Sequence, residues 1–164
     1  VTLNGGPDNP FALASELVGK YFREHSSVPF AASNNLATSA LLAREFPFDE
    51  SFVDAAGEDR DWCQRVAAGG YRIAREPGAV VVHHEPMALR AFVRQHARYG
   101  RGSYHYHRAA SDRRRLERPH FYTNVVARGF TAGPSVGLLV AAAQLATGFG
   151  YFGEWIRARR RFIR

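Results

Sequence analysis

From Gly129 to Gly153 the chain carries no charged residue. No other feature constrains the fold as strongly. A bilayer-spanning helix needs roughly 20 consecutive apolar residues, and this run is long enough. Glycines dilute it, as do Thr131, Pro134, Ser135, Gln144 and Thr147. Two placements follow: a helix embedded in or lying on a membrane, or a helix packed on the rest of the domain. Behind the run come Arg157, Arg159, Arg160, Arg161 and Arg164. Basic residues beyond an apolar segment mark the cytoplasmic side. The expectation therefore tips towards the cytoplasmic face of a membrane, with peripheral contact through residues 129–164.

The remaining sequence reads as cytoplasmic and globular. With 164 residues, 46% of them hydrophobic, the chain has the length of one domain and too much apolar content for global disorder. It opens on Val1 with no leader pattern and reads as starting in mid-protein. Cys63 is the single cysteine, so no disulfide framework exists; beside Trp62 and Val66 it reads as a buried, inert thiol. The formal net charge of +7 favours anionic partners. That excess sits in Arg113, Arg114, Arg115 and the terminal arginines, while the first half is close to balanced. A solvated basic tail accounts for it. Tyr99, Tyr104, Tyr106 and Phe121 form no stacking signature, so nucleic acid is not the expected partner.

Local signals place the elements. Asn9-Pro10 reads as an N-cap with proline at the first helical position, opening a helix to about Arg23. Val28 to Ala32 reads as a short strand, and Ser33-Asn34-Asn35 as a polar loop. Thr38 or Ser39 caps a helix to about Glu45. Glu58 to Ala68 reads as a helix ended by Gly69-Gly70. Tyr71–Arg75 and Ala79–His83 read as strands about a Pro77-Gly78 turn. Met87 to about Tyr99 reads as an amphipathic helix weakened by Gly100 and Gly102. Ser111 to Arg118 is a charged linker. Two units are expected: 1–108, and a basic linker with a helical tail over 109–164.

The chemistry concentrates in Glu58-Asp59-Arg60-Asp61. Acids in a first helical turn stabilise the helix by about 0.3–1 kcal/mol each through the macrodipole, and this alone explains the run. Its company adds a second reading. Ser33-Asn34-Asn35 precedes it, then Phe48-Asp49-Glu50. Gly70-Tyr71-Arg72-Ile73 follows, then Pro77-Gly78-Ala79-Val80-Val81-Val82-His83, then Tyr99-Gly100-Arg101-Gly102. In order and spacing, from about Val28 to Arg108, this resembles the acceptor-side half of the family 2 glycosyltransferases.

The resemblance implies an α/β fold: part of a Rossmann-like GT-A domain with an incomplete sheet, followed by C-terminal helices. It implies inverting transfer of a sugar from a nucleotide-sugar donor to a saccharide or lipid-linked acceptor in cell-envelope polysaccharide synthesis. Asp59, the aspartate of the "ED" pair, becomes the general base. Such bases contribute roughly 10²–10⁴-fold. Asn34, Asn35, Glu58, Asp61, Trp62, Arg98 and Arg101 become substrate-binding candidates. Successive helical residues point about 100° apart, so Glu58 and Asp59 are not expected to face one substrate. His83 and His84 become ligands of a divalent ion, Mn²⁺ or Mg²⁺, whose main DxD-type motif belongs to an N-terminal half not seen before Val1. Asp59-Arg60-Asp61 matches DxD in letters only. The chain alone is therefore expected to be inactive. The competing readings are a basic nucleic-acid-binding module, a metal-dependent hydrolase using His83, His84, Asp59 and Asp61, and a non-catalytic membrane-associated fragment.

Overall fold

A computed structural model describes residues 2–4, 8–26, 30–52, 56–84, 87–109 and 117–161. In order the elements are β1 (Thr2–Asn4), α1 (Pro10–His25), a 3₁₀ turn (Ser33–Asn35), α2 (Ala40–Glu45) and a second 3₁₀ turn (Glu50–Phe52). Then come α3 (Glu58–Ala68), β2 (Val81–His83), α4 (Leu89–Ala109), α5 (Pro119–Ala132) and α6 (Pro134–Arg161).

Helices dominate, which overturns the expected α/β, Rossmann-like GT-A fold. Among the described residues, β1 and β2 form only a two-stranded parallel pair, with Thr2 opposite Val81 and Asn4 opposite His83. The reason is partnership: a strand persists only when a neighbour satisfies its backbone. Among the described residues, no strand pairs with residues 71–76, which run irregularly, bonded locally through Tyr71 N–H to the Val66 carbonyl. Residues 30–32 are likewise irregular, and the start of that expected strand lies outside the described residues.

The helix signals behave as capping chemistry dictates. The Asn9 side chain accepts hydrogen bonds from Phe11 N–H (3.0 Å) and Ala12 N–H (3.1 Å), and its Nδ2 donates to the Met87 carbonyl (2.8 Å). Ser39 caps α2 through Leu42 N–H at 3.2 Å. The run Arg113–Arg115 lies outside the described residues.

One core joins the N-terminal helix to the tail. Ala14 and Val18 of α1, Phe92 of α4, Phe121 and Val125 of α5, and Val140 and Ala143 of α6 form a single buried cluster. A smaller cluster seats α3: Trp62, Cys63 and Val66 pack against Phe30, Leu36, Leu42, Phe46 and Ile73. Cys63 is fully buried, and burial pushes its thiol up from the ordinary value. The uncharged run splits at Gly133, whose φ of +139° suits glycine, so α6 folds back along α5 and α4. Packing on the domain thus takes one face of α6. Val136, Val140, Ala143 and Ala146 are buried, while Leu138, Leu145, Phe149, Phe152 and Ile156 are exposed. At about 3.6 residues per turn those five exposed residues share an arc of roughly 60°.

Candidate functional site

The acidic run sits where backbone geometry leaves no latitude. Gly57, with φ +120°, precedes α3 and supplies no side-chain cap. The macrodipole and three acids in the first turn serve that role instead. Across from it, Gly102 of α4 touches the same backbone: a Cβ there would fall 1.4 Å from the Ala56 carbonyl oxygen. The glycine expected to weaken α4 is what lets it press against the start of α3, fixing Glu58 and Asp59.

A cleft of about 580 Å³ opens at this point. One end is built from the 32–34 segment, the start of α3 and His83 at the end of β2; the other is walled by α1, α4 and α6. Five sequence candidates meet on its wall: Asn34, Glu58, Asp59, His83 and Arg98. They come from four separate stretches of chain. Glu58 and Asp59, in the first turn of α3, both line it.

Asp59 accepts hydrogen bonds from the Arg60 N–H (2.7 Å) and, at longer range, the Ser33 N–H (3.4 Å). Burial first, then the neighbouring Glu58 carboxylate, pushes the Asp59 carboxyl above its ordinary range; the backbone N–H groups of Arg60, Ser33 and Asp59 itself pull the other way. Glu58 Oε2 is buried with no hydrogen-bond partner among the described residues. Arg60 Nη2 donates to Ser26 Oγ (3.2 Å), and its guanidinium lies 4.8 Å from the Tyr106 ring centroid.

The other candidates lie off the cleft wall. Asp61 is 2% exposed and paired with Arg65 Nε at 2.8 Å, a brace within α3. Trp62 Nε1 donates to the Phe46 carbonyl (2.6 Å) and its ring stacks on Phe48. Asn35 Nδ2 donates to the Ala79 carbonyl (3.0 Å), tying the loop to the turn before β2. His84 is exposed, and Arg101 is half-buried elsewhere on α4. Among the described residues, no three His, Cys, Asp or Glu side chains gather closely enough to hold a metal ion. His83 and His84 therefore offer two imidazoles without a third such ligand among the described residues.

Comparison with protein-family models, with curated proteins and with solved structures finds no match. The geometry therefore carries the functional argument.

The helical end of the cleft brings Tyr99 of the Tyr99-Gly100-Arg101-Gly102 stretch together with residues that the motif pattern does not flag: Arg23, Gln95, His96, Gln144 and Thr147. Their sequence signal is faint. His96 is the polar member of an otherwise apolar stripe with Phe92, and Gln144 and Thr147 interrupt the uncharged run. Arg23 is half-buried; desolvation, then the nearby Arg75 charge, lowers its pKa from the ordinary value.

His96 is 1% exposed, and neither ring nitrogen has a partner among the described residues. Its ring meets Phe92 and Tyr99 at centroid distances of 4.6 and 5.5 Å. Burial lowers its pKa from 6.5 to about 4, so it stays neutral near neutrality. The consequence for stability has a definite sign. Below 6.5 the unfolded chain takes up a proton that folded His96 refuses until about 4. Its contribution is therefore whole above 6.5 and is lost as the pH falls towards 4. A displacement of this size corresponds to ~3 kcal/mol. Urea unfolding at neutral pH and near pH 4 should show that loss in the wild type, with the His96→Leu variant lacking this component. Equal acid sensitivity in both proteins would contradict the assignment.

Proposed function

We propose that the cleft is the acceptor-side site of an inverting glycosyltransferase, with Asp59 as general base. The carrying observation is that Asn34, Glu58, Asp59, His83 and Arg98, separated in sequence, all line one cleft. An acceptor hydroxyl placed against Asp59 loses its proton to the carboxylate while its oxygen attacks the anomeric carbon. The bond to the leaving nucleotide breaks in the same displacement, and the configuration inverts. A carboxylate whose pKa is raised holds that proton more strongly, which suits the role. Asn34 offers an amide for hydroxyl recognition, and Arg98 a guanidinium suited to phosphate oxygens. A metal-dependent hydrolase using His83, His84, Asp59 and Asp61 together is disfavoured, since Asp59 and His83 line the cleft but Asp61 and His84 do not.

The test is transfer of label from a panel of nucleotide sugars (of uridine, guanosine and thymidine diphosphates) to saccharide and lipid extracts. It uses the protein expressed from its complete reading frame. Label should appear in an acceptor with inverted anomeric configuration. Release of free sugar alone would overturn the reading in favour of hydrolysis.

A second observation favours a lipid surface as partner. The exposed stripe on α6 runs into Trp155, Arg157, Arg159 and Arg160, with the Arg159 guanidinium 4.1 Å from the Trp155 ring centroid. An apolar face with an aromatic and basic margin suits anionic headgroups. Only 33% of the apolar window of this helix is buried. Flotation should carry the protein with phosphatidylglycerol vesicles and not with phosphatidylcholine vesicles. Phe149→Glu with Phe152→Glu should abolish it, and flotation unchanged by these substitutions would exclude α6.

A further inference from the structure

His96 presents a problem that the catalytic reading leaves unsolved. An imidazole 99% removed from solvent ordinarily has at least one ring nitrogen hydrogen-bonded, because desolvating it without a partner is costly. Here both nitrogens lack partners among the described residues, and the ring forms part of the cleft wall. At the other end of the same cleft, Glu58 Oε2 is in the same condition. The uncharged groups on this wall are Gln95, Tyr99, Gln144 and Thr147, and the charged Glu16, Arg23 and Arg98 line the same cleft. Gln95 Oε1 already accepts from Ser15 Oγ at 3.2 Å, which holds its amide in place.

We infer that the α1–α4–α6 end of the cleft is a subsite for a neutral sugar ring of the acceptor, with His96 as its hydrogen-bonding anchor. A neutral imidazole offers one N–H donor and one acceptor nitrogen. A sugar hydroxyl, both donor and acceptor, can meet either ring nitrogen whichever one carries the proton. Tyr99 and Phe22 supply ring faces at the same wall for the apolar side of the sugar. A volume of about 580 Å³ has room for more than one sugar ring, and Asp59 lines the same cleft. The choice of a saccharide rests on the transferase reading; the unpartnered imidazole does not.

The probe is a set of neutral disaccharides: maltose, cellobiose, lactose and trehalose. The readout is ring-nitrogen NMR of protein labelled at histidine, with His96 identified by the signal absent from His96→Leu. At least one disaccharide should shift that signal saturably. Calorimetry should show His96→Leu weakening this binding by about tenfold or more, the scale of a lost buried hydrogen bond. His96→Gln, which keeps a donor and an acceptor, should recover part of it. Without sugar, His96→Leu should melt at or above the wild-type temperature, because it removes a polar group lacking a partner. His96 signals unmoved by every disaccharide, or equal binding by His96→Leu, would overturn the subsite. A loss of stability in His96→Leu with no sugar response would assign His96 to a buried water instead. Sugar binding through His96 with no transfer from any nucleotide sugar leaves the subsite standing and removes the transferase. Transfer combined with unaltered binding by His96→Leu does the reverse.

Discussion

Asp59→Asn is expected to reduce glycosyl transfer by about 10²–10⁴-fold while leaving the protein at least as stable as the wild type. The two halves of that expectation have different causes. The amide is nearly isosteric, and its oxygen can still accept from the Arg60 N–H that meets Asp59 Oδ1 at 2.7 Å. It cannot take a proton from a hydroxyl, so the attack loses its base. Stability moves the other way. Burial and the Glu58 carboxylate raise the Asp59 pKa in the folded state, so ionisation is harder there than in the unfolded chain. Above that raised pKa the ionised group opposes folding, and the opposition is relieved as the pH falls through it. At neutral pH the asparagine variant escapes it altogether. A loss of transfer with an unchanged or higher melting temperature is the signature of a base. A loss of both would mark Asp59 as structural, and full turnover would remove it from the mechanism. The same displacement sets the acid limb of the wild-type kcat/KM profile above the ordinary aspartate value of 3.8.

What was legible in the sequence was local. Asn9-Pro10, Ser39 and Gly69-Gly70 act within a turn or two of where they stand, so they mark α1, α2 and the end of α3 wherever those helices go. The strands were misread because a strand is a relation between two segments. Ala79–His83 has the composition of one, yet only Val81–His83 pairs, and with only three residues of β1. Composition also cannot separate a binding carboxylate from a bracing one. Asp61 looks as available as Asp59, and only the fold turns it onto Arg65. His96 shows the converse: it reads as one more position on an amphipathic helix until α1 and α6 close round it.

Gly100 and Gly150 carry the second large effect, because the helices they join are bounded there by backbone alone. A Cβ on Gly100 would lie 1.9 Å from the Thr147 carbonyl oxygen and 2.8 Å from the Tyr151 nitrogen. A Cβ on Gly150 would lie 2.0 Å from the Ala97 carbonyl oxygen. The two contacts are reciprocal across the α4–α6 seam, and no flexible side chain stands in either to give way. Intrinsic helix propensity favours alanine over glycine by about 1 kcal/mol, so propensity alone predicts a gain. Forcing the helices apart costs typically 1–3 kcal/mol and occasionally more, and an obstruction made of backbone belongs at the upper end. Clash wins: Gly100→Ala is expected to destabilise by about 2 kcal/mol net, and Gly150→Ala similarly. Gly148 and Gly153 lie in the same α6 with nothing within 4 Å of an added Cβ. Their alanine variants should gain up to about 1 kcal/mol, giving opposite signs within one helix. Urea titration of the four variants reads this directly; stabilisation by all four would mean that α6 does not seat on α4 through these glycines. Gln144 and Thr147 reach the cleft from α6, and His96 and Arg98 from α4. A seam pried open at Gly100 therefore widens the helical end of the cleft, and should weaken sugar binding there more than it disturbs Asp59, which Gly102 holds from the next turn.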